Sequence, residues 1–189
     1  MANEESIAPA AVSPLLQGGA AAGVWELDPG TSVLEFRVKH FWGAMTVRGR
    51  FGAVTGRLDV DASAKVSGTV EAEAASLDSG NARRDQHLRS ADFFDVAHHP
   101  SVVFSLVQVD PLGDGVRVTG DLMAAGRSLP ITFDAHLSDA TDQRVTVHAE
   151  LSVDRRSGFG MNWSPLGMAS STALLVVHAQ FTKAAEIAR

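Results

Sequence analysis

The chain has 189 residues, a hydrophobic content of 45% and a formal net charge of −6 at pH 7. A chain of this length and apolar content can form one domain with a sizeable core. Its 16 Lys and Arg residues are spread without forming a run, which argues against a nucleic-acid-binding face. Because there is no cysteine, disulfides, a thiol nucleophile and Cys-ligated zinc are excluded.

The beginning of the sequence is typical of a flexible tail. Glu4 and Glu5 stand where a signal peptide would carry basic residues, and a proline and two glycines interrupt the apolar stretch that follows. No segment reaches the about 20 consecutive apolar residues that a transmembrane helix needs. We therefore expect a cytoplasmic protein without a transmembrane segment, in which a tail (1–22) precedes a folded domain (23–184) and a short C-terminal tail (185–189).

From residue 23 onward, apolar and polar residues alternate with a period of two. This is the pattern of strands that bury one face and expose the other. In the stretch from 127 to 138, for example, Leu129, Ile131 and Phe133 share one face, and Thr132 and Asp134 share the other. The alternation and the intervening turn residues predict strands at 24–28, 32–40, 45–60, 65–75, 101–110, 115–124, 127–138, 144–154 and 171–183.

Eight or nine strands with short connections indicate a closed up-and-down barrel or a sandwich. Gly49, Gly52 and Gly56 fall in the long third strand, where glycines favour the bends and bulges of a barrel corner. The last strand, 171–183, is apolar on both faces. Its outer face is therefore expected to meet a helix, a ligand or a second copy of the chain.

One connection is long, and its composition differs from that of the surrounding strands. Residues 81–100 read NARRDQHLRSADFFDVAHHP, with three arginines, three aspartates and three histidines around a Phe-Phe pair. Asn81 can cap a short helix that runs to about Ser90. The apolar residues of this segment need an apolar surface, which the open end of a barrel would supply.

These motifs resemble the YceI-like, polyisoprenoid-binding family. The pattern RDxHLRSxDFFD begins at Arg84 and is followed by Pro100 and Phe104. Further matching elements stand in the same order: Trp25, Asp28 and Ser32, FRVKH at 36–40, GRF at 49–51, VTGDLMAAGRSLPITF at 118–133 and FGMNW at 159–163. The resemblance implies an all-β, antiparallel up-and-down lipocalin-like barrel of about eight strands, with a short helical insertion near 80–98. Its interior would hold a long-chain isoprenoid or a related amphiphilic lipid.

Alternation alone does not decide whether the inward phenylalanines fill a core or line a tunnel, but the resemblance favours a tunnel. On this interpretation no catalytic cofactor is expected, and a polyprenyl chain or a quinone tail would suit the interior. The expected ligand-binding residues are Phe36, Val38, His40, Phe51, Arg84, Leu88, Phe93, Phe94, Phe104, Ile131, Phe133, Phe159 and Trp163.

The charged residues of the insertion have two interpretations. In the first, Arg84, Asp85, His87 and Arg89 form a structural clamp, in which an Arg84–Asp85 ion pair holds the helix across the barrel. In the second, Arg84 lies at the mouth of the tunnel and binds a phosphate or another polar head group through its fork of donors. The residues favour the clamp.

Catalysis and metal binding are weaker hypotheses. The inward faces are apolar with His40 as the clear exception, and no pair of carboxylates converges there, so we expect no catalytic residue. His98 and His99 are adjacent in an extended segment and point to opposite sides. One of them could complete a metal site only together with His87 and Asp95, and we expect no metal.

The leading functional hypothesis is non-catalytic binding, storage or transport of a long-chain isoprenoid or related amphiphilic lipid inside the barrel. An alternative is a barrel that sequesters or senses another small hydrophobic compound, for protection against stress or an antibiotic. A third hypothesis is an enzyme that acts on a bound lipid. A homodimer formed through the outer face of the last strand is compatible with each of them.

Overall fold

The computed structural model describes residues 21–185, apart from the side chain of Pro165. Within this range, the chain forms short helices α1 (Ala82–Leu88) and α2 (Arg155–Phe159). The strands are β1 (Gly23–Leu27), β2 (Val33–His40), β3 (Met45–Phe51), β4 (Val54–Val60), β5 (Val66–Glu73), β6 (Leu77–Asp78), β7 (Ser101–Leu112), β8 (Gly115–Ala124), β9 (Arg127–Ser138), β10 (Arg144–Asp154) and β11 (Thr172–Lys183). The tails predicted at the two ends lie almost entirely outside the described residues.

The strands close into one antiparallel up-and-down barrel. β1 and β2 lie end to end along the same edge of β11, and β3 and β4 are two halves of one bent strand. In the same way, β5 pairs with β4 and the two-residue β6 pairs with β3, so β5 and β6 together occupy one strand position. The segments therefore make a ring of eight strand positions. β1 pairs with both β4 and β11 and so closes the ring. The predicted fold is confirmed.

The strand faces follow from the alternation in the sequence. In β8, Val116, Val118 and Leu122 are buried, and the intervening Arg117 and Asp121 are exposed. Inward side chains therefore meet across the barrel, whereas outward charges pair on its surface, as Arg117 does with Asp134 at 2.7 Å. This pairing also lowers the pKa of the Asp134 carboxyl from its usual value.

The long strand predicted for 45–60 is interrupted in its middle. The backbone N–H groups of Gly52 and Ala53 donate to the Ser76 hydroxyl at 3.1 and 3.0 Å. The Gly52 N–H also donates to the Ser76 carbonyl at 3.2 Å. Because both N–H groups turn toward Ser76, the chain bends there and β3 separates from β4. The Gly49 position is not a bend, since it lies within β3 opposite Phe36.

The helix predicted in the long connection is present as α1. Its first turn is capped by Asn81, whose side-chain oxygen accepts a hydrogen bond from the Arg84 N–H at 3.0 Å. Leu88 at its end is buried and packs with Phe36 and Leu77. The connection thus lies across one end of the barrel, which is called the entrance end.

The loops of the barrel divide between its two ends. The other loops at the entrance end are 41–44, 125–126 and 155–171, and the turns at the opposite, far end are 61–65, 113–114 and 139–143.

The outer face of β11 lies beside polar side chains of β2. Leu174 and Val176 are half-buried, and their partners in the ladder are Arg37 and Glu35. The Arg37 Nε donates to the Glu35 carboxylate at 2.5 Å. Long charged side chains commonly cover neighbouring apolar surface with their stems, so we expect this pair to cover part of the outer face of β11. Among residues 21–185, no helix is both long and apolar enough to cross a membrane.

The ladder between β9 and β10 is short compared with its neighbours. Thr146, Val147 and His148 pair with Ser138, Leu137 and His136, after which the strands diverge toward the entrance end. By contrast, β10 and β11 pair along their whole length from Arg144 to Asp154. Helix α2 packs against β9, β10 and β11, and its Phe159 joins the cluster that contains Leu129. The helix therefore fills the wedge that the diverging strands leave.

Three histidines lie in register across this region, on the outer face of the barrel. His148 pairs with His136 on β9 and with His178 on β11. The His148 and His178 Nδ1 atoms are 3.2 Å apart, and the Ser138 hydroxyl lies 2.9 Å from the His148 Nε2. Partial burial, followed by the proximity of His178 and His136, lowers the pKa of His148 below its ordinary value.

We expect acid to weaken the fold through His148. Because the folded state disfavours protonated His148, the unfolded chain takes up this proton more readily, and the free energy of unfolding falls as the pH drops below about 6.5. Urea unfolding across pH, together with an NMR titration of the imidazole, measures the effect. The His178→Gln variant should raise the pKa of His148. A titration midpoint of His148 at or above the ordinary histidine value would contradict the prediction.

Candidate ligand-binding cavity

The barrel encloses a continuous cavity of about 1000 Å³. Its wall is formed by inward side chains of β1–β5 and β7–β11, most of them valine, leucine, alanine and phenylalanine. Phe104, Ile131 and Phe133 point inward and still keep an accessible surface of intermediate extent. Since these side chains line the cavity, the interior is not filled as a protein core is.

The far end of the cavity is closed by aromatic packing. Trp25 on β1 and Phe181 on β11 are each 3% exposed and belong to one cluster with Ala21 and Leu27. The indole N–H of Trp25 donates to the Ala21 carbonyl at 2.8 Å. A buried indole with its donor satisfied forms a stable floor for the cavity.

The cavity meets solvent at the entrance end, between α1 and the β2–β3 turn. Six residues both line the cavity and are exposed on the surface: Phe41, Met45, Asn81, Arg83, Gln86 and Trp163. All six belong to α1 with its cap, to the β2–β3 turn with the first residue of β3, or to the loop between β10 and β11. The entrance is therefore polar on the α1 side and apolar on the other two.

Two glycines in the wall keep the interior open. Gly49 lies opposite Phe36 in the β2–β3 ladder, and a Cβ atom at Gly49 would stand 2.5 Å from the Phe36 ring. A Cβ at Gly120 would be equally close to the Phe104 ring. Each ring therefore lies against the bare backbone of a neighbouring strand, a close approach that only glycine allows. The rings cover the wall and leave the centre of the barrel free.

A cluster of aromatic rings stands below the entrance. The Phe36 and Phe51 ring centroids are 6.1 Å apart, and the Phe94 centroid lies 5.9 and 5.8 Å from them. Phe94 comes from the long connection, six residues after the end of α1. The connection thereby contributes apolar side chains to the wall, in addition to polar residues at the rim.

All 13 residues expected to bind the ligand line this cavity. Ligand binding by them remains a prediction. They come from the strands, from the long connection and from the β10–β11 loop with α2: Phe36, Val38, His40, Phe51, Arg84, Leu88, Phe93, Phe94, Phe104, Ile131, Phe133, Phe159 and Trp163.

The charged residues of α1 attach the helix to the barrel, but not by the expected ion pair. Arg84 and Asp85 both bond to Ser79 instead of to each other. The Arg84 Nε donates to the Ser79 hydroxyl at 2.8 Å and its Nη2 to the Ser79 carbonyl at 2.7 Å. The Asp85 carboxylate accepts from the Ser79 N–H at 2.9 Å and from its hydroxyl. Because Arg84 and Asp85 are successive residues of a helix, their side chains diverge and do not pair with each other. Both reach Ser79, in the segment that precedes the helix.

Arg89 and His87 make the remaining attachments. The Arg89 Nε donates to the Ala75 carbonyl at 2.9 Å, and its Nη2 donates to the Leu77 carbonyl. The His87 ring lies edge-on to Trp163, with centroids 4.5 Å apart, and its Nε2 is 3.1 Å from the Asp92 carboxylate. These contacts link α1 to β6 and to the β10–β11 loop.

The histidines of the insertion are in separate pairs. His98 lies 3.0 Å from the Asp95 carboxylate, whereas His87 contacts Asp92. In the part of the chain that the structure describes, no three His, Asp or Glu residues are placed to hold a metal ion. The combination of His87, Asp95 and His98 or His99 that the sequence left open is therefore not assembled.

Arg155 lines the cavity, although the sequence did not predict it there. The expectation that His40 is the one clear polar residue on an otherwise apolar wall is therefore wrong. Arg155 is 3% exposed, and its guanidinium donates to the carbonyls of Ser170 at 2.7 Å, Trp163 at 3.1 Å and Met161. Burial lowers the pKa of the Arg155 guanidinium, and the neighbouring Arg156 adds to the effect. The Phe93 ring centroid lies 5.8 Å from its Cζ. Arg155 therefore organises the β10–β11 loop over the entrance.

Residues 25–181 match the model of the YceI-like domain. The match spans most of the chain and runs from the floor of the barrel to its last strand. The chain belongs to the YceI-like family. The resemblance found in the sequence motifs is thereby confirmed.

Curated YceI-like relatives share about a third of their residues with this chain. A UPF0312 protein of Pectobacterium atrosepticum is 34% identical over 134 residues, which are 67% of this chain and 68% of that protein. A UPF0312 protein of Pseudomonas aeruginosa is 36% identical over 108 residues. The latter match spans 55% of each chain, so this chain covers about half the length of that relative.

Solved structures share the YceI-like barrel. BcnA of Burkholderia cenocepacia superposes with a TM-score of 0.73 at 20% identity, over 82% of this chain and 98% of that one. A polyisoprenoid binding domain from Saccharophagus degradans gives a TM-score of 0.69 at 15% identity, over 85% and 98%. The YceI protein of Campylobacter jejuni gives 0.63 at 25% identity, over 74% and 86%. The barrel is thus retained where most of the sequence has changed.

We expect Arg155→Met to destabilise this YceI-like barrel by about 3 kcal/mol, because three carbonyls in its loop lose charge-assisted donors. Urea unfolding measures the loss. Arg144→Met, at an exposed position in β10, serves as the matched control and should change stability by less than about 0.5 kcal/mol. Equal effects of the two substitutions would show that Arg155 does not organise the loop.

A second prediction concerns Gly49, on which the Phe36 ring lies. Gly49→Ala should push this ring into the cavity and lower the free energy of unfolding by about 1–3 kcal/mol, as overpacking does. Gly52→Ala is the control, since its Cβ would meet its nearest atom at an ordinary 3.4 Å. Urea unfolding gives the stability of both variants, and a crystal structure gives the Phe36 rotamer. An unmoved ring in Gly49→Ala would contradict the account of the open interior.

Proposed function

We propose that this YceI-like protein binds one long-chain isoprenoid or related amphiphilic lipid in the barrel and stores or carries it without altering it. The observation that supports the proposal is the continuous apolar cavity of about 1000 Å³ that meets solvent at the entrance end. A water molecule occupies about 30 Å³ in the liquid, and a methylene group is similar in size. The cavity therefore has room for a guest of roughly thirty non-hydrogen atoms.

The apolar wall supplies the driving force for such a guest. Burying one methylene group is worth about 0.8 kcal/mol, so ten carbons yield about 8 kcal/mol before the cost of ordering a flexible chain is subtracted. The wall holds few hydrogen-bonding groups that could distinguish one chain from another. We therefore propose recognition by length and thickness instead of by specific contacts, with about 1–3 kcal/mol of discrimination per methylene.

The polar head group of the guest would lie at the entrance. Arg84 is engaged with Ser79, whereas Arg83 and Gln86 are exposed and also line the cavity. A guest with its tail inside the barrel would bring its head group beside these two side chains. Arg83 is therefore a better candidate than Arg84 for contact with an anionic head group.

Two observations favour binding over catalysis. The middle of the cavity is lined by aliphatic and aromatic side chains, whereas Arg84, His87 and Arg155 are engaged around the entrance. General acid–base catalysis would need a titratable pair aligned with the reacting atoms of a bound guest. We propose on this ground that the guest leaves the barrel chemically unchanged.

Extraction of the purified protein with organic solvent, followed by mass spectrometry, tests the proposal. We expect an apolar molecule with a long chain to be recovered, and added prenyl lipids to bind to the emptied protein in equal molar amount. Recovery of no apolar molecule, together with no binding of added prenyl lipids, would refute carriage. Competition between short hydrophobic compounds and long prenyl chains separates lipid carriage from sequestration of a small compound.

Phe133→Glu should abolish uptake of a prenyl lipid, because it places a carboxylate in the apolar wall. Thr132→Glu is the matched control: it adds the same group to the same strand on the exposed face and should leave uptake unchanged. Binding of a fluorescent prenyl analogue measures both variants, and circular dichroism verifies that both are folded. Uptake by a folded Phe133→Glu protein equal to that of the control would mean that the guest does not contact β9.

A further inference from the structure

We propose that the entrance end docks on the surface of an anionic lipid bilayer, with Phe41, Trp42 and Leu166 inserted among the lipids. The inference deepens the proposed function, on which its purpose rests, because a guest that enters from a membrane must pass from the bilayer to the cavity mouth. Docking itself does not depend on the guest. Exposed apolar side chains, the backbone conformation of their loops, their position at the entrance and the surface charge support it.

The apolar side chains at the entrance are among the most exposed in the described chain. Trp42 is 79% exposed, Leu166 86%, Met45 52% and Phe41 43%. They come from two regions that are far apart in sequence, the β2–β3 turn with the first residue of β3, and the β10–β11 loop. Exposed large apolar groups that gather at one place mark an interaction surface, and tryptophan is enriched where proteins meet the membrane interface.

The backbone holds these side chains outward at an energetic cost. Phe41, Trp42 and Leu166 have positive φ angles of 49°, 53° and 52°, a region that bulky residues rarely adopt. Local hydrogen bonds fix both turns, from the Ala44 N–H to the Phe41 carbonyl and from the Gly167 N–H to the Ser164 carbonyl, each at 3.1 Å. Strained positions of this kind are concentrated at functional sites.

The two loops adjoin each other and the cavity mouth. The Ser170 N–H donates to the Lys39 carbonyl at 2.9 Å, which joins the base of one loop to the base of the other. Trp163 rests on His87 of α1. Phe41, Met45 and Trp163 also line the cavity. A bilayer in contact with the loop tips would therefore lie directly over the entrance.

Charge is distributed along the barrel axis in a way that suits an anionic surface. The charged residues of 39–48 and 155–171 that reach the surface are Lys39, Arg48 and the half-buried Arg156, and neither range contains an acid. Arg83 adds an exposed cation on α1, and the long connection as a whole is balanced, with three arginines and three aspartates in 81–100. The far end has the opposite character, because acids outnumber cations within three residues of its turns. Six aspartates and three cations stand there: Asp59, Asp61, Lys65, Asp110, Asp114, Arg117, Asp139, Asp142 and Arg144. A chain of net negative charge can thus approach anionic lipids with its entrance first.

Sedimentation with lipid vesicles tests the inference on the full chain. The wild type should bind vesicles of phosphatidylglycerol and phosphatidylcholine in equal parts, and bind vesicles of pure phosphatidylcholine more weakly. Trp42→Ser combined with Leu166→Ser should lower partitioning onto the mixed vesicles about tenfold or more, because two large apolar contacts are lost. Val107→Ser combined with Leu112→Ser is the matched control, since these residues are 56% and 41% exposed away from the entrance.

A charge variant provides a second measurement. Lys39→Glu combined with Arg83→Glu should reduce binding to the mixed vesicles severalfold, and added salt should reduce wild-type binding in the same direction. No binding of the wild type to the mixed vesicles at low salt would overturn the proposal. It would also be overturned if the control variant lost binding as strongly as the variant at the loop tips.

Two further outcomes separate docking from related explanations. If light scattering shows a wild-type dimer that Trp42→Ser with Leu166→Ser converts to a monomer, and vesicles do not bind, the surface is an interface between copies and the proposal fails. Retention of a fluorescent prenyl analogue is measured on the same variants without vesicles. Vesicle binding in a protein that takes up no prenyl lipid would support docking and refute the proposed function, whereas uptake without vesicle binding would do the reverse.

Discussion

The structure depends on a closed ring of backbone hydrogen bonds that encloses more space than its inward side chains fill. A barrel of eight strands has a diameter at which its inward side chains can either fill the interior or leave room for one small ligand, depending on their size. In this chain small residues stand at many inward positions, among them Ala72, Ala173 and Ala179. Where phenylalanines occur in the wall, Phe36 and Phe104 lie on glycines of neighbouring strands. The pattern of small residues beside large ones keeps the barrel hollow.

The two ends of the barrel are built differently, and this difference gives the cavity a direction. The far end is sealed by Trp25 and Phe181, which are almost fully buried. The entrance end is covered by α1 and the β10–β11 loop, which are held by side chains that donate to backbone carbonyls. Bonds of this type can position a short segment without a large apolar contact area. The cover can therefore carry polar residues such as Arg83 and Gln86 at the rim.

The strands and their order follow from the sequence because a buried face imposes a period of two. Turn residues between the strands allow only short connections, so neighbours in sequence become neighbours in the sheet. The α1 cap was predictable in the same way, since Asn81 precedes a helix-forming run. Resemblance, and not alternation, indicated a hollow interior, because an inward phenylalanine has the same pattern whether it fills a core or covers a wall.

Other features of the site are invisible to pattern analysis for physical reasons. Arg155 is a charged residue that is buried by contacts from residues 6 to 15 positions later, and a local rule would leave it exposed. The only available signal was Asp154, whose carboxylate caps α2 through the Arg156 and Ser157 N–H groups. The sharing of Ser79 by Arg84 and Asp85 was hidden for a similar reason, since it depends on where β6 lies.

The short ladder between β9 and β10 gives the ring one seam that is weaker than the rest. Three residue pairs join these strands, whereas eleven join β10 to β11. A ring under outward pressure yields where the fewest bonds resist, so a thick or branched guest would widen the barrel along this line. Helix α2, which packs beside the diverging strands, would shift with them. The range of guests that such a barrel could admit would then depend on this seam as well as on the resting volume of the cavity.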